Sequence, residues 1–77
     1  MTIKDICRKL ASEGMETEMT RVSFGDETRQ ACWVRHDYTG FYPTAETFAA
    51  HEKAAKLARK HGYTAEPRGN YISTLIY

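Results

Sequence analysis

Thr44-Ala45-Glu46-Thr47-Phe48-Ala49-Ala50-His51-Glu52-Lys53-Ala54-Ala55-Lys56-Leu57-Ala58-Arg59-Lys60-His61-Gly62 is the stretch that decides the fold. Wound as a helix, it gathers Ala50, His51, Ala54, Leu57, Ala58 and His61 on one half, and Phe48 and Ala55 extend that half. Glu52, Lys53, Lys56, Arg59 and Lys60 fill the opposite arc. Thr44 is placed to cap the first turn, because Pro43 holds the preceding Tyr42 in an extended conformation. Gly62 stands where a helix wants a left-handed stop, and Arg59, Lys60 and His61 suit the negative end of its dipole. The alanines let such a helix approach a sheet closely, with Phe48 and Leu57 expected to supply bulk.

Upstream, the period changes twice. Ile3, Ile6, Cys7 and Leu10 repeat at helical spacing, with Thr2 as N-cap, Asp5 three residues later as in a capping box, and Gly14 after the last turn. From about Met15 the alternation becomes two-residue. Met19–Phe24 and Thr28–His36 read as strands joined by a Gly25-Asp26-Glu27 turn, hence an antiparallel hairpin. In the second strand Ala31, Trp33 and Arg35 share one face, and Cys32 and Val34 the other. Either face suits a core, since Trp33 is a large ring to leave in water. Downstream of the long helix, residues 63–66 suit a short strand with Pro67 marking an edge, residues 67–70 a turn, and residues 71–77 a final strand. The expectation is one α+β domain over residues 1–77. It is a small single-layer antiparallel sheet with two helices, in the order α-β-β-α-β(-β).

Composition narrows the function classes. A chain of 77 residues, 42% hydrophobic and 27% charged, is an ordinary globular composition with room for one modest core. Apolar runs are too short to span a bilayer, and residues 1–6 lack a signal-peptide core, so a cytoplasmic protein is expected. In that compartment Cys7 and Cys32 read as buried thiols.

Catalytic patterns are missing. His51-Glu52 resembles the start of a zinc-protease helix, but the position four residues after His51 is Ala55. His61 stands about 15 Å further along the helix, too far to share an ion. Cys7, Cys32 and His36 lack metal-site spacing. Ser12, Ser23 and Ser73 lack a nucleophile elbow, and the five glycines are isolated turn and cap residues. No enzyme activity, metal or cofactor is expected.

Surface features carry the remaining information. The formal charge is only +1, yet residues 51–77 hold five basic and two acidic side chains while residues 1–27 hold four basic and six acidic. Lys53, Lys56, Arg59 and Lys60, supported by Arg35 and Arg68, form a candidate basic surface. Tyr38, Phe41 and Tyr42 cluster before the long helix as a candidate partner-binding group, since such rings offer stiff, amphipathic contact area. Ile72, Leu75, Ile76 and Tyr77 make the last strand apolar, so it is either central or open to a second copy, which makes a homodimer an expectation. The leading expectation is a non-enzymatic protein-interaction module occupying a surface of a larger protein or nucleoprotein complex. Small chains without catalytic motifs are often accessory proteins or inhibitors, including those that phages turn against host defences such as CRISPR systems, and this association extends the expectation to an anti-CRISPR-like inhibitor. The alternative is a nucleic-acid-binding domain using the basic face of the second helix.

Overall fold

The computed structural model describes residues 1–36 and 44–77. Its elements run α1 (Ile3–Ser12), β1 (Glu16–Phe24), β2 (Glu27–Arg35), α2 (Ala45–Lys60), β3 (Ala65–Arg68) and β4 (Ser73–Ile76). The strands form one antiparallel sheet in the order β1-β2-β4-β3, with both helices packed on one face. This is the expected α+β architecture, including the short strand β3 that the sequence left optional.

Local chemistry explains where the elements begin and end. The Thr2 backbone N–H donates to Asp5 Oδ2 at 3.0 Å, and the Asp5 N–H donates back to Thr2 Oγ1 at 3.1 Å. This reciprocal box satisfies two donors that the first turn leaves open, and the bond from Thr2 holds the Asp5 carboxyl below its ordinary pKa. Thr44 and Thr47 make the same exchange at the start of α2, at 2.8 and 3.1 Å. Between β1 and β2 the turn is the two residues Gly25-Asp26. Gly25 has φ 59°, the positive value that a type II′ hairpin needs at its first central position.

The sheet settles the ambiguity over Trp33. Cys32 and Val34 of β2 lie opposite Ile76 and Thr74 of β4, and these four residues are buried beneath the helices. Ile3, Ile6, Cys7 and Leu10 of α1 and Ala54 and Ala58 of α2 complete that core. Trp33, Leu75 and Ala31 therefore point to the side without helices. Each fully buried Ile or Leu contributes about 1.5–3 kcal/mol of transfer energy. The bulk of the core therefore comes from α1 and the sheet, while α2 contributes alanines and closeness.

Several expectations change. Phe48 does not supply core bulk: it is 46% exposed while the neighbouring Thr47 is buried in its place, and its ring packs at 4.7 Å on Tyr71 instead. Pro67 belongs to β3 rather than to a turn, and it is tolerated there because β3 is an edge strand. The turn lies at residues 69–72, where Gly69, Asn70 and Tyr71 all have positive φ. A Cβ on Gly69 would also meet Ile72 Cγ1 at 2.8 Å, so glycine is required twice over. Finally, β4 is central, with β2 and β3 on its two sides. The homodimer expected through the C-terminal strand has no free edge there. The open edges belong to β1 and β3, and β1 carries Glu16, Glu18 and Arg21, charges that discourage edge pairing.

Enlarging the alanine face separates α2 from the sheet. Ala58→Leu is expected to lower stability by about 1–3 kcal/mol through overpacking, read as an earlier midpoint in urea denaturation. A midpoint unchanged from the parent would show that α2 does not depend on this close approach.

Candidate functional site

The face of the sheet opposite the helices is built by alternation. Glu16, Glu18, Thr20, Val22 and Phe24 of β1 point there, as do Glu27, Arg29, Ala31, Trp33 and Arg35 of β2. β4 adds Ser73 and Leu75, and β3 adds Glu66 and Arg68. Although no described helix covers this side, Leu75 keeps only 7% of its surface and Ser73 only 5%. Trp33 is the cross-strand neighbour of Leu75 and is itself half-buried. A groove of about 390 Å³ runs here, lined by Thr20, Val22, Trp33, Arg68, Ser73 and Leu75 among others.

Guanidinium groups lie against the rings. Arg35 Cζ stands 4.6 Å from the Trp33 ring centre and Arg29 Cζ 5.5 Å from that of Phe24. Phe24 in turn packs at 5.1 Å on Tyr77, which holds the hairpin against the end of β4. Arg29 pairs with Glu27 at 3.0 Å and Arg68 with Glu66 at 3.4 Å. Arg29, Arg35 and Arg68 thus face Glu16, Glu18, Glu27 and Glu66, so positive and negative charge nearly cancel across this surface.

The residues singled out from sequence fall into three places. Lys53, Lys56, Arg59 and Lys60 are exposed on α2, as expected. Arg35 and Arg68, expected to support them, lie on the opposite side of the sheet and belong to the Trp33 face. Strand alternation separates them from the helix arc. Tyr38, Phe41 and Tyr42 lie outside the described residues.

One constellation escaped the sequence reading. His36 Nε2 and His51 Nδ1 both lie 2.7 Å from Thr74 Oγ1. Thr74 is fully buried and His51 nearly so, and the Tyr71 ring meets His51 edge-on at 5.0 Å. Burial lowers both imidazole pKa values. At His36 the His51 ring lowers it further, while at His51 Glu52 opposes the shift and Arg59 reinforces it. Neutral rings sharing one hydroxyl can pass a hydrogen bond through Thr74, since that hydroxyl donates once and accepts from the other side. The signals available in sequence were a histidine on the apolar face of α2 and a threonine beside Leu75-Ile76, neither of which names its partner.

The other reactive groups are quiet. Cys7 and Cys32 are free and buried side by side in the core. Burial, and then the neighbouring Cys7, raise the Cys32 pKa and keep it a thiol. Among the described residues no three His, Cys, Asp or Glu side chains converge as metal ligands, and no helix is long and apolar enough to cross a membrane.

No protein-family model matches the chain, and neither curated proteins nor solved structures give a match.

The histidine pair gives stability a pH dependence with a definite sign. Unfolded histidines bind protons around their ordinary value near 6.5, while the folded rings take them up only at lower pH. The unfolded state therefore holds more protons below that value, and stability is lost as pH falls from there through the lowered folded pKa values. Thr74→Val is expected to cost about 2 kcal/mol at neutral pH by leaving buried ring nitrogens without a partner. Urea midpoints measured across this range check both statements. A flat profile, or a valine variant as stable as the parent, would contradict them.

Proposed function

We propose that this chain is a small non-enzymatic protein-interaction module that docks on a larger protein or nucleoprotein complex through the helix-free face of its sheet. An accessory or inhibitory role, of the anti-CRISPR kind that phages use, is the biological setting such a module would suit. The observation that carries the reading is Trp33 paired across the strands with Leu75, both lining one groove, with Arg35 against the Trp33 ring, on a sheet face that no described helix covers. Trp and Arg are the side chains most often found at the energetic centre of protein interfaces, where truncating one commonly costs more than 2 kcal/mol.

The charge pattern favours a protein partner on this face. Arg29, Arg35 and Arg68, with Arg21 also lining the groove, stand against four carboxylates, a balance that gives a polyanion little net attraction. A protein surface with an apolar anchor ringed by both signs of charge meets such a face without leaving unpaired charge. Catalysis finds less support. The two central histidines are committed to Thr74 and the two thiols are enclosed in the core.

The test is affinity capture with the full chain, identification of the partner, and titration of the purified pair. Trp33→Ala is expected to weaken that binding by at least about 2 kcal/mol, roughly thirtyfold, while circular dichroism stays that of the parent. An affinity unchanged by Trp33→Ala and by Arg35→Ala would contradict the assignment of this face.

A further inference from the structure

A second candidate surface lies on the other side of the molecule, in the helix layer. Between α1 and α2 runs a groove of about 230 Å³ walled by Lys9 of α1 and its C-cap residue Glu13, and by Lys53, Lys56 and Lys60 from α2. Leu57 lines it as well, half-buried and packed against the core. Glu13 and Lys53 close one end as an ion pair at 3.7 Å. Lys9, Lys56 and Lys60 make no ion pair among the described residues, so the groove holds four lysines against the single carboxylate of Glu13. Lys9 was not foreseen from sequence, because it reaches this place from the other helix.

We propose that this groove takes an acidic amphipathic helix of a partner protein. Lys53, Lys56 and Lys60 repeat at i, i+3 and i+7, a stripe about 10 Å long at the rise of an α-helix. A helix laid alongside repeats its own carboxylates at the same pitch, so several pairs form in one register. The apolar floor needs an apolar side chain between those carboxylates. Leu57 and the aliphatic lysine stems provide its contact surface, as lysines do when their charged ends reach out to water.

Nucleic acid fits this groove less well. Its cations are all lysines, which bind phosphate as point charges without the two-pronged grip of arginine. Among the described residues no aromatic ring lines it to stack a base. The inference is independent of the sheet face, since the two surfaces lie on opposite sides of the sheet and share no side chain.

The experiment uses the full chain and a labelled synthetic helix of about 20 residues, long enough to span the groove. Leucines run along one stripe of the probe, with glutamates on both flanks. Fluorescence anisotropy measures its affinity beside that of a peptide with the same residues scrambled, and those of single-stranded and duplex DNA of matched charge. The amphipathic peptide is expected to bind about tenfold or more tightly than the scrambled one, with Lys56→Glu/Lys60→Glu reducing its affinity by a similar factor. Trp33→Ala is expected to leave this affinity unchanged, which separates failure here from failure at the sheet face. Lys9→Glu, on the other wall, gives the same reading if the double variant fails to fold. Equal binding of the scrambled peptide, tighter binding of either DNA, or indifference to charge reversal on both walls would each overturn the proposal.

Discussion

Ala54, Ala55 and Ala58 have no side chain beyond Cβ and are fully buried, so the backbone of α2 settles directly onto the half of the sheet formed by β4 and β3. That close approach brings His51, on the same helix face, to 2.7 Å from Thr74 Oγ1. Apolar transfer energy from three alanines is small, so the hold of α2 on the sheet also draws on this buried hydrogen bond and on the partial burial of Leu57. On the other half, Ile3, Ile6 and Leu10 of α1 seat against β1 and β2 in the ordinary apolar way. The Tyr63 hydroxyl, donating to the Met1 carbonyl at 2.8 Å, ties the start of the chain to the segment that follows α2. With both helices spent on one face, the two sides of the sheet acquire different chemistry.

On the helix side, positive charge predominates, because α2 directs Lys53, Lys56, Arg59 and Lys60 away from its alanines, with Glu13 and Glu52 among them. On the sheet side, charges of both signs surround rings and a buried leucine. The first surface attracts anions over a distance set by ionic strength, whereas the second discriminates by shape and short-range pairing. A protein with both surfaces can steer an acidic partner with one side and make a specific contact with the other.

Much of this was legible in the residues, and what was not has a physical reason. Thr2 with Asp5, Thr44 before a run of alanines, and Gly25 between alternating segments each act within a few residues, so both helices and the hairpin could be placed directly. The alternation Ala31-Cys32-Trp33-Val34-Arg35 separated two faces without saying which one the helices cover, since that choice is made by elements distant in the chain. His36 and Thr74 are 38 residues apart and His51 and Thr74 are 23 apart, and only the β2–β4 register together with the docking of α2 joins them. Phe48 was misplaced because helical phase alone groups it with Ala55, whereas at its end of α2 Thr47 takes the buried position and Phe48 packs on Tyr71. Arg35 and Arg68 were assigned by sign of charge alone, and strand alternation sends them to the other side from the lysines.

Trp33 is the only tryptophan in the chain, so a 5-fluorotryptophan label places a single fluorine reporter in the middle of the helix-free face. The central claim is that this face becomes the buried contact when the module meets its protein partner. Fluorine NMR of the labelled chain, free and then saturated with the captured partner, reads it directly. The account predicts that the resonance moves on binding and loses most of its solvent isotope shift as water is excluded. A resonance that keeps its position and its isotope shift in the saturated complex would contradict it.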